Sequence, residues 1–166
     1  SAKFIVMYLR LLHRLNWQAF TSIDQTGTFE HQLINLPANG LAIVKLKKVM
    51  GHGVVSRYQI GSGQAISEYL GTVSCNHKTS PFKNSAYAMA YPLPSLAGWV
   101  WTINALEKGN VARFVNHSRQ PNVAIKIFFD GCLLRLALVS LRVIENGEAL
   151  TLNYGPAYWS QRQQSV

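Results

Sequence analysis

The amino-acid sequence predicts one mainly β domain with short helices, and three observations point to this class. The chain has 166 residues, of which 48% are hydrophobic and only 14% are charged, so it can bury a core without disulfides or metals. From residue 41 onward, short apolar runs alternate with glycine-containing stretches such as "GHG" and "GSG", a pattern typical of strands and turns. Long helical stretches do not alternate with these runs, which excludes a doubly wound α/β fold.

The N-terminal stretch from Phe4 to Phe20 is the exception to the β pattern. Its apolar residues recur at helical spacing while Lys3, Arg10 and Arg14 occupy other positions. This spacing predicts an amphipathic helix, and packing on its own or a neighbouring domain is favoured over a membrane surface. The apolar positions are Ile5, Tyr8, Leu9, Leu12 and Leu15.

The later elements follow from local signals. The β-branched run "LAIVKLKKV", which begins at Leu41, predicts a strand. Asp130-Gly131, between the runs "VAIKIFF" and "CLLRLALV", predicts a hairpin with a two-residue turn. The stretch "ALEKGNVARFV" is the only later one that favours a short helix.

Charge and cysteine content limit the kinds of partner and site that the chain can have, but they do not identify its function. Lys and Arg number 16 against 7 Asp and Glu, a net charge of +9 that is typical of partners such as nucleic acid, phosphate or an acidic surface. The basic residues are scattered, so an ordinary soluble domain of a larger protein is an equal alternative. Cys75 and Cys132 lack the spacing of a disulfide framework or a zinc site. No apolar run reaches the roughly 18 residues of a membrane span, and the first residues do not resemble a signal peptide.

Three stretches carry chemistry when they are taken together. The stretch "RFVNHSRQPN" sets several hydrogen-bonding side chains beside apolar ones, and buried polar groups need partners. It lies within "INALEKGNVARFVNHSRQPN", residues 103–122, which follows "GHGVVSRYQIGSGQAISEYLG", residues 51–71, and precedes "ENGEALTLNYG", residues 145–155. In this order the stretches resemble the SET-domain family of protein lysine methyltransferases. The resemblance runs from about Ala42 to Trp159.

The resemblance implies a fold of small curved β-sheets with a C-terminal pseudoknot. In such a knot the Asn-His-Ser segment and the Tyr-Gly segment interlock, and Ser118 and Asn122 are expected to tie its backbone. The implied SET domain covers residues 41–159. It is flanked by the helical segment 1–40 and a C-terminal tail, 160–166.

The resemblance also implies S-adenosyl-L-methionine as cofactor and Tyr154 as the catalytic residue. Methyl transfer to a lysine amine is an in-line displacement that needs a neutral amine, a straight approach and little water. A nearby sulfonium favours the neutral amine, because like charges disfavour the ammonium form. The residues implied in cofactor binding are His52, Gly53, Arg113, Phe114, Asn116, His117 and Tyr154.

A second set of residues is implied in the substrate lysine channel. Two apolar members, Leu152 and Ile125, stand where some relatives carry a tyrosine, which predicts a roomy pocket and a di- or trimethylated product; the alternative is that both face the core. The choice between Tyr87 and Tyr91 stays open, and Tyr69 is expected to be structural. The channel set is Tyr87, Tyr91, Ile125, Leu152, Tyr158 and Trp159.

The chain departs from the family pattern in two respects. Arg119 stands where many relatives carry a zinc-binding cysteine, and no cysteine follows Cys132, so no metal site is expected. Asn104 and Asn153 stand where Asp is frequent, which retains hydrogen bonding and removes charge.

The resulting hypothesis is a protein-lysine methyltransferase, part of a larger protein, acting on a histone tail and hence in a nucleus. Nucleosomal DNA is a further candidate partner of the basic surface. The alternatives are a silent SET-like binding module and a basic nucleic-acid-binding β domain without cofactor. A basic tail is disfavoured by the net charge unless carboxylates such as Glu68, Glu107 and Glu148 line its groove.

Overall fold

The computed structural model describes residues 40–46, 51–77, 85–93, 98–130, 133–156 and 158–159. Strands dominate this part of the chain, which confirms the mainly β class and agrees with the fold that the resemblance implies. The predicted N-terminal helix lies outside the described residues. Within them, no helix is long and apolar enough to cross a membrane. The strands are β1 (Leu41–Lys45), β2 (His52–Ser56), β3 (Ala65–Glu68), β4 (Thr72–His77), β5 (Ala88–Ala90), β6 (Trp99–Asn104), β7 (Asn116–His117), β8 (Val123–Asp130), β9 (Leu133–Ser140) and β10 (Thr151–Leu152).

Two local predictions are adjusted by the structure. The hairpin between β8 and β9 is confirmed, but Asp130 pairs with Leu133 and therefore belongs to the strand rather than to the turn. The predicted short helix is only a 3₁₀ turn, Val111–Phe114. Residues 105–110 form bends and loop, and the carbonyls of Ala105 and Leu106 accept from the Arg113 side chain instead of from helical N–H groups.

The strands form three small sheets. β1 pairs with β2, and β4, β6 and β5 form a three-stranded antiparallel sheet in that order. The largest sheet has the order β3-β9-β8-β10-β7, in which the β8–β9 hairpin supplies the longest pairing.

The C-terminal pseudoknot is visible in the order of the largest sheet. β7 and β8 are consecutive in the chain, yet β10 lies between them and runs parallel to both. The connecting residues 118–122 cross β10, and the backbone N–H groups of Ser118 and Asn122 donate to the carbonyls of Leu152 and Thr151. The C-terminal strand is thus threaded beneath the loop that joins its two neighbours.

Asn122 holds this crossing with its side chain. The residue is 1% exposed, and its Oδ1 accepts from the Thr151 N–H at 2.7 Å. Its Nδ2 donates to the Ala149 carbonyl at 2.8 Å and to Glu148 Oε1 at 2.9 Å. The expected role of Asn122 is therefore confirmed. Ser118 ties the knot only through its backbone, because its hydroxyl accepts from the Gln120 N–H.

The main hydrophobic core joins the sheets beneath the knot. Its buried members come from β2, β3, β6, β8, β9 and β10 and from the segments between them. Several half-buried aromatic residues, among them Tyr87, Phe114 and Tyr154, pack against it from one side. The core therefore supports the segments that carry the sequence-predicted site residues.

Candidate active site

Asn116 and the start of β2 form one corner of the site. The Asn116 Nδ2 donates to the His52 carbonyl at 2.8 Å. Gly53 lies directly beneath, since a Cβ there would be 3.1 Å from Asn116 Nδ2 and 2.8 Å from Leu46 Cδ1. Only glycine permits this approach without displacing its neighbours. The structure brings His52, Gly53 and Asn116 together, and their expected role in cofactor binding stays a prediction.

His117 links β7 to the segment that carries Tyr154. The Tyr154 backbone N–H donates to His117 Nδ1 at 3.2 Å, and the two rings lie 5.4 Å apart between centroids. A nitrogen that accepts a hydrogen bond carries no proton, so in this geometry the neutral imidazole has its proton on Nε2. The imidazole thereby sets the position of the Tyr154 backbone.

The Tyr154 hydroxyl is held from the other side of the knot. It donates to the Val115 carbonyl at 2.7 Å, and the side chain is half-buried. Because β7 pairs with β10, these two bonds place Tyr154 between Val115 and His117 on one continuous segment. The hydroxyl oxygen is oriented by a backbone group, which is the requirement for a fixed acceptor near a reacting centre.

Two aromatic residues complete this end of the site. The Tyr158 ring lies 4.5 Å from that of Tyr154, and the Trp159 ring lies 5.0 Å from that of His117. The two also contact each other at 5.2 Å. The structure thus gathers Tyr154, His117, Tyr158 and Trp159 into one aromatic cluster, in which Trp159 is 44% exposed.

Arg113 and Phe114 form the opposite wall together with Tyr87. The Arg113 guanidinium lies 4.7 Å from the centroid of the Phe114 ring and 5.0 Å from that of Tyr87. The Phe114 ring also meets the His52 ring edge-on at 5.8 Å. Phe114 therefore contacts His52, the residue whose carbonyl accepts from Asn116.

Tyr69 lies beneath the site. It is 6% exposed, and its hydroxyl donates to the Tyr87 carbonyl at 2.9 Å. Burial raises the pKa of Tyr69 to about 12, and the neighbouring Tyr154 hydroxyl adds to the shift. A neutral, hydrogen-bonded hydroxyl at this depth agrees with the structural role expected from the sequence.

Tyr87 and Tyr91 differ in their surroundings. Tyr87 contacts Arg113 and Phe114, whereas the Tyr91 hydroxyl donates to the Leu134 carbonyl on β9. Burial raises the pKa of Tyr91, and the negative charge of Glu68 contributes. Both tyrosines pack against the main core cluster, and Tyr87 also has ring contacts with Arg113 and Phe114, while the choice between them as channel residues stays open.

The two apolar channel candidates lie at the core. Leu152 is 8% exposed and belongs to the main buried cluster, and Ile125 packs half-buried against it. Tyr87 and Tyr154 pack against the same cluster. Leu152 and Ile125 therefore both belong to the core region, and their effect on the product stays a prediction.

Most of the described carboxylates form ion pairs or hydrogen bonds with residues outside the aromatic cluster of Tyr154, His117, Tyr158 and Trp159. Glu68 forms an ion pair with Arg135 at 3.1 Å, and Glu148 forms one with Arg142 at 2.6 Å. Hydrogen bonds from Arg142, the Glu145 N–H and Asn122 lower the pKa of Glu148 to about 2. Of the three carboxylates considered for a basic substrate groove, only Glu107 is exposed without such an ion pair.

Several contacts of the site have no signal in the sequence. The acceptors for Tyr154, Asn116 and Tyr69 are backbone carbonyls, and any residue can supply a carbonyl. Leu46 also escapes a motif search, because it contacts Gly53 only through packing.

Comparison with known proteins identifies the family. The family model described as "SET domain" matches residues 51–155, more than half of the chain. The chain belongs to the SET-domain family. The match includes the Gly53 corner, the 3₁₀ turn and the strands of the knot, and it ends at Gly155 directly after Tyr154.

Curated relatives of this SET domain carry consistent names. Human "Histone-lysine N-methyltransferase EHMT1" is 35% identical over 114 residues, which cover 66% of this chain and 9% of that protein. "Putative histone-lysine N-methyltransferase ASHH4" of Arabidopsis thaliana is 30% identical, covering 72% of the chain and 36% of that protein. "Histone-lysine N-methyltransferase SUV39H2" of Gallus gallus is 32% identical, covering 69% and 30%. The SET domain thus spans well under half the length of these relatives.

No three His, Cys, Asp or Glu side chains gather as a metal site in the part of the chain that the structure describes. Independence from zinc stays a prediction of the sequence.

Proposed function

We propose that this SET domain is a protein-lysine N-methyltransferase that uses S-adenosyl-L-methionine. The observation that carries the proposal is the convergence of Asn116, His117 and Tyr154 at the pseudoknot, each held by a specific hydrogen bond. A domain that only bound protein would not require this network of hydrogen bonds around three half-buried side chains.

The chain offers a fitting place for the cofactor. Gly53 lets the β2 backbone lie against Asn116, and the neighbouring His52 ring meets the half-buried Phe114 ring edge-on at 5.8 Å. His52, Gly53, Arg113, Phe114, Asn116 and His117 would hold the molecule. When bound, the cofactor supplies a methyl group on a sulfonium.

The residues of the chain would supply orientation and exclude water. Tyr154 offers a phenolic oxygen whose hydrogen is directed to the Val115 carbonyl, and this oxygen would face the amine and the polarised methyl group. The ring of Tyr158 meets that of Tyr154 edge-on, and the ring of Trp159 meets that of His117 in the same way. These rings would restrict water around a lysine side chain and favour its neutral form.

The substrate that we propose is a histone, because the relatives are named histone-lysine N-methyltransferases. Action on histones would take place in a nucleus, and the net charge of +9 makes nucleosomal DNA a second contact. The domain would form part of a larger protein, as its short coverage of the relatives suggests.

The experiment that tests the reaction combines labelled cofactor with separate histones or with nucleosomes, followed by mass spectrometry of the labelled residue. Tyr154→Phe should lower the methylation rate about a hundredfold, because an oriented oxygen is lost while the ring remains. Tyr58→Phe is the matched control, since Tyr58 is an exposed tyrosine outside the set of candidate site residues.

Each outcome decides between functions. An unchanged rate in Tyr154→Phe would contradict the assignment of that residue. A folded protein that binds cofactor and labels no lysine would instead support the silent binding module.

A further inference from the structure

The Arg113 side chain occupies an unusual position between two aromatic walls. Its Nη1 donates to the carbonyls of Ala105 and Leu106 at 3.0 and 2.9 Å. The same guanidinium lies over the rings of Tyr87 and Phe114. The planar guanidinium of arginine can make both interactions at once, with its edge on the carbonyls and its face near the rings.

The bonding pattern indicates that ring contact decides the position of Arg113. Its Nε is buried without a hydrogen-bond partner, and leaving a donor in that state costs stability. A Cβ on Gly109 would lie 3.1 Å from Arg113 Cδ, so the glycine also makes room for this side chain. The guanidinium therefore keeps its place near the rings although its Nε is unpaired and position 109 must be a glycine.

The contacts of Arg113 connect two groups of residues. On one side, Tyr87 is a candidate wall of the lysine channel and is also held by Ala105 and Tyr69 through its carbonyl. On the other side, Phe114 contacts His52, the residue whose carbonyl binds Asn116. The Arg113 guanidinium therefore contacts both Tyr87, a candidate channel residue, and Phe114, a candidate cofactor-binding residue.

We propose that Arg113 is a positioning residue whose side chain couples cofactor binding to the lysine channel. This inference rests on the proposed function. The guanidinium fixes the angle between the Tyr87 and Phe114 rings, which lie 6.5 Å apart at 74°. Loss of the cation frees both rings, so cofactor affinity and lysine binding deteriorate together.

The test is a double-mutant cycle on the affinity for S-adenosylhomocysteine, measured by calorimetry on the folded protein. Arg113→Met should weaken binding about three- to thirty-fold, the range expected for loss of a cation–π contact. Tyr87→Leu should weaken binding in the parent but add little in the Arg113→Met background, because the coupling is already absent. Arg57→Met is the matched control at an exposed arginine.

Kinetics provide a second readout that a merely structural role would not change. The KM for a lysine peptide and that for the cofactor should rise together in Arg113→Met. Arg113→Lys is the second variant, which keeps the positive charge and serves if Arg113→Met does not fold. It should raise both KM values as well, but by less than Arg113→Met.

The outcomes separate this inference from the proposed function. If the folded parent binds no S-adenosylhomocysteine, the proposed function fails and the inference fails with it. If the parent binds and Arg113→Met and Arg113→Lys match Arg57→Met per folded molecule, the inference alone is overturned. The inference would also be overturned if the effects of Arg113→Met and Tyr87→Leu on the free energy of S-adenosylhomocysteine binding were strictly additive.

Discussion

At the scale of single residues, the site depends on backbone geometry as much as on side-chain chemistry. Gly53, Asn116 and Tyr154 each act against a main-chain group or within a space that only glycine leaves open. The sequence motif identifies these residue types because they are the ones that the geometry restricts. It does not identify their backbone partners, such as the Val115 carbonyl, because every residue carries one.

Gly53→Ala should weaken cofactor binding without unfolding the domain. The added Cβ would lie 2.8 Å from Leu46 Cδ1 and 3.1 Å from Asn116 Nδ2, so the two side chains must shift. Displacement of Asn116 loosens its bond to the His52 carbonyl, at a cost of about 1 kcal/mol. Calorimetry with S-adenosylhomocysteine measures the effect.

Gly61→Ala is the control for the added methyl group, because a Cβ there meets only Gln64 Oε1 at 3.8 Å. Equal cofactor affinity in Gly53→Ala and Gly61→Ala would show that the close contact between Gly53 and Asn116 does not contribute to cofactor binding.

At the scale of elements, the pseudoknot explains why the site residues converge. β10 lies between two strands that are consecutive in the chain, and Asn122 fastens the crossing. Threading of this kind is rare among protein folds, so neither propensity nor hydrophobic alternation predicts it. It could be anticipated only from the resemblance of "RFVNHSRQPN" and "LTLNYG" to a known family.

Asn122→Ala should destabilise the domain by about 2–4 kcal/mol. The substitution removes three hydrogen bonds of a side chain that is 1% exposed, to the Thr151 N–H, the Ala149 carbonyl and Glu148, and each bond contributes about 1 kcal/mol. Urea unfolding followed by circular dichroism gives the difference. Asn146→Ala, at an exposed asparagine, should leave the midpoint unchanged.

Elements with strong local signals were predictable, and those that depend on tertiary contacts were not. The strand at Leu41 and the β8–β9 hairpin follow from β-branched runs and a turn signal. The 3₁₀ turn Val111–Phe114 was expected as part of a longer helix. The residue before the turn is held by a tertiary contact that the sequence does not reveal, since Asn110 Nδ2 donates to the Glu68 carbonyl at 2.7 Å.

At the scale of the whole molecule, charge pairing near the knot makes stability depend on pH. The folded pKa of Glu148, about 2, lies below its ordinary value of 4.5. A lowered folded pKa means that the stabilising contribution of this carboxylate is complete above pH 4.5 and is lost as the pH falls towards 2.

Glu148→Gln should therefore be less stable than the parent at pH 7, and the difference should shrink between pH 4.5 and 2. Urea midpoints across that range provide the measurement. Glu107→Gln, at an exposed carboxylate, should follow the parent at every pH. A constant difference between Glu148→Gln and the parent would show that the carboxylate charge is not responsible.

The number of methyl groups added is a property of the assembled channel, and we expect a di- or trimethylated product. Neither Leu152 nor Ile125 carries a hydroxyl that could anchor a water in the space needed by further methyl groups. Ile125 is the better place for the test, because it is half-buried, whereas a tyrosine at the 8% exposed Leu152 would overpack the core. Mass spectrometry of a peptide methylated to completion reports the product.

Ile125→Tyr should shift the product towards monomethyl-lysine, and Ile125→Phe should shift it less, since the two rings differ only in the hydroxyl. An equal shift in both variants would attribute the effect to ring size rather than to an anchored water. A parent enzyme that stops at monomethyl-lysine would contradict the roomy pocket itself, because the apolar side chains at both positions would then leave no space for a methylated amine to rotate into line.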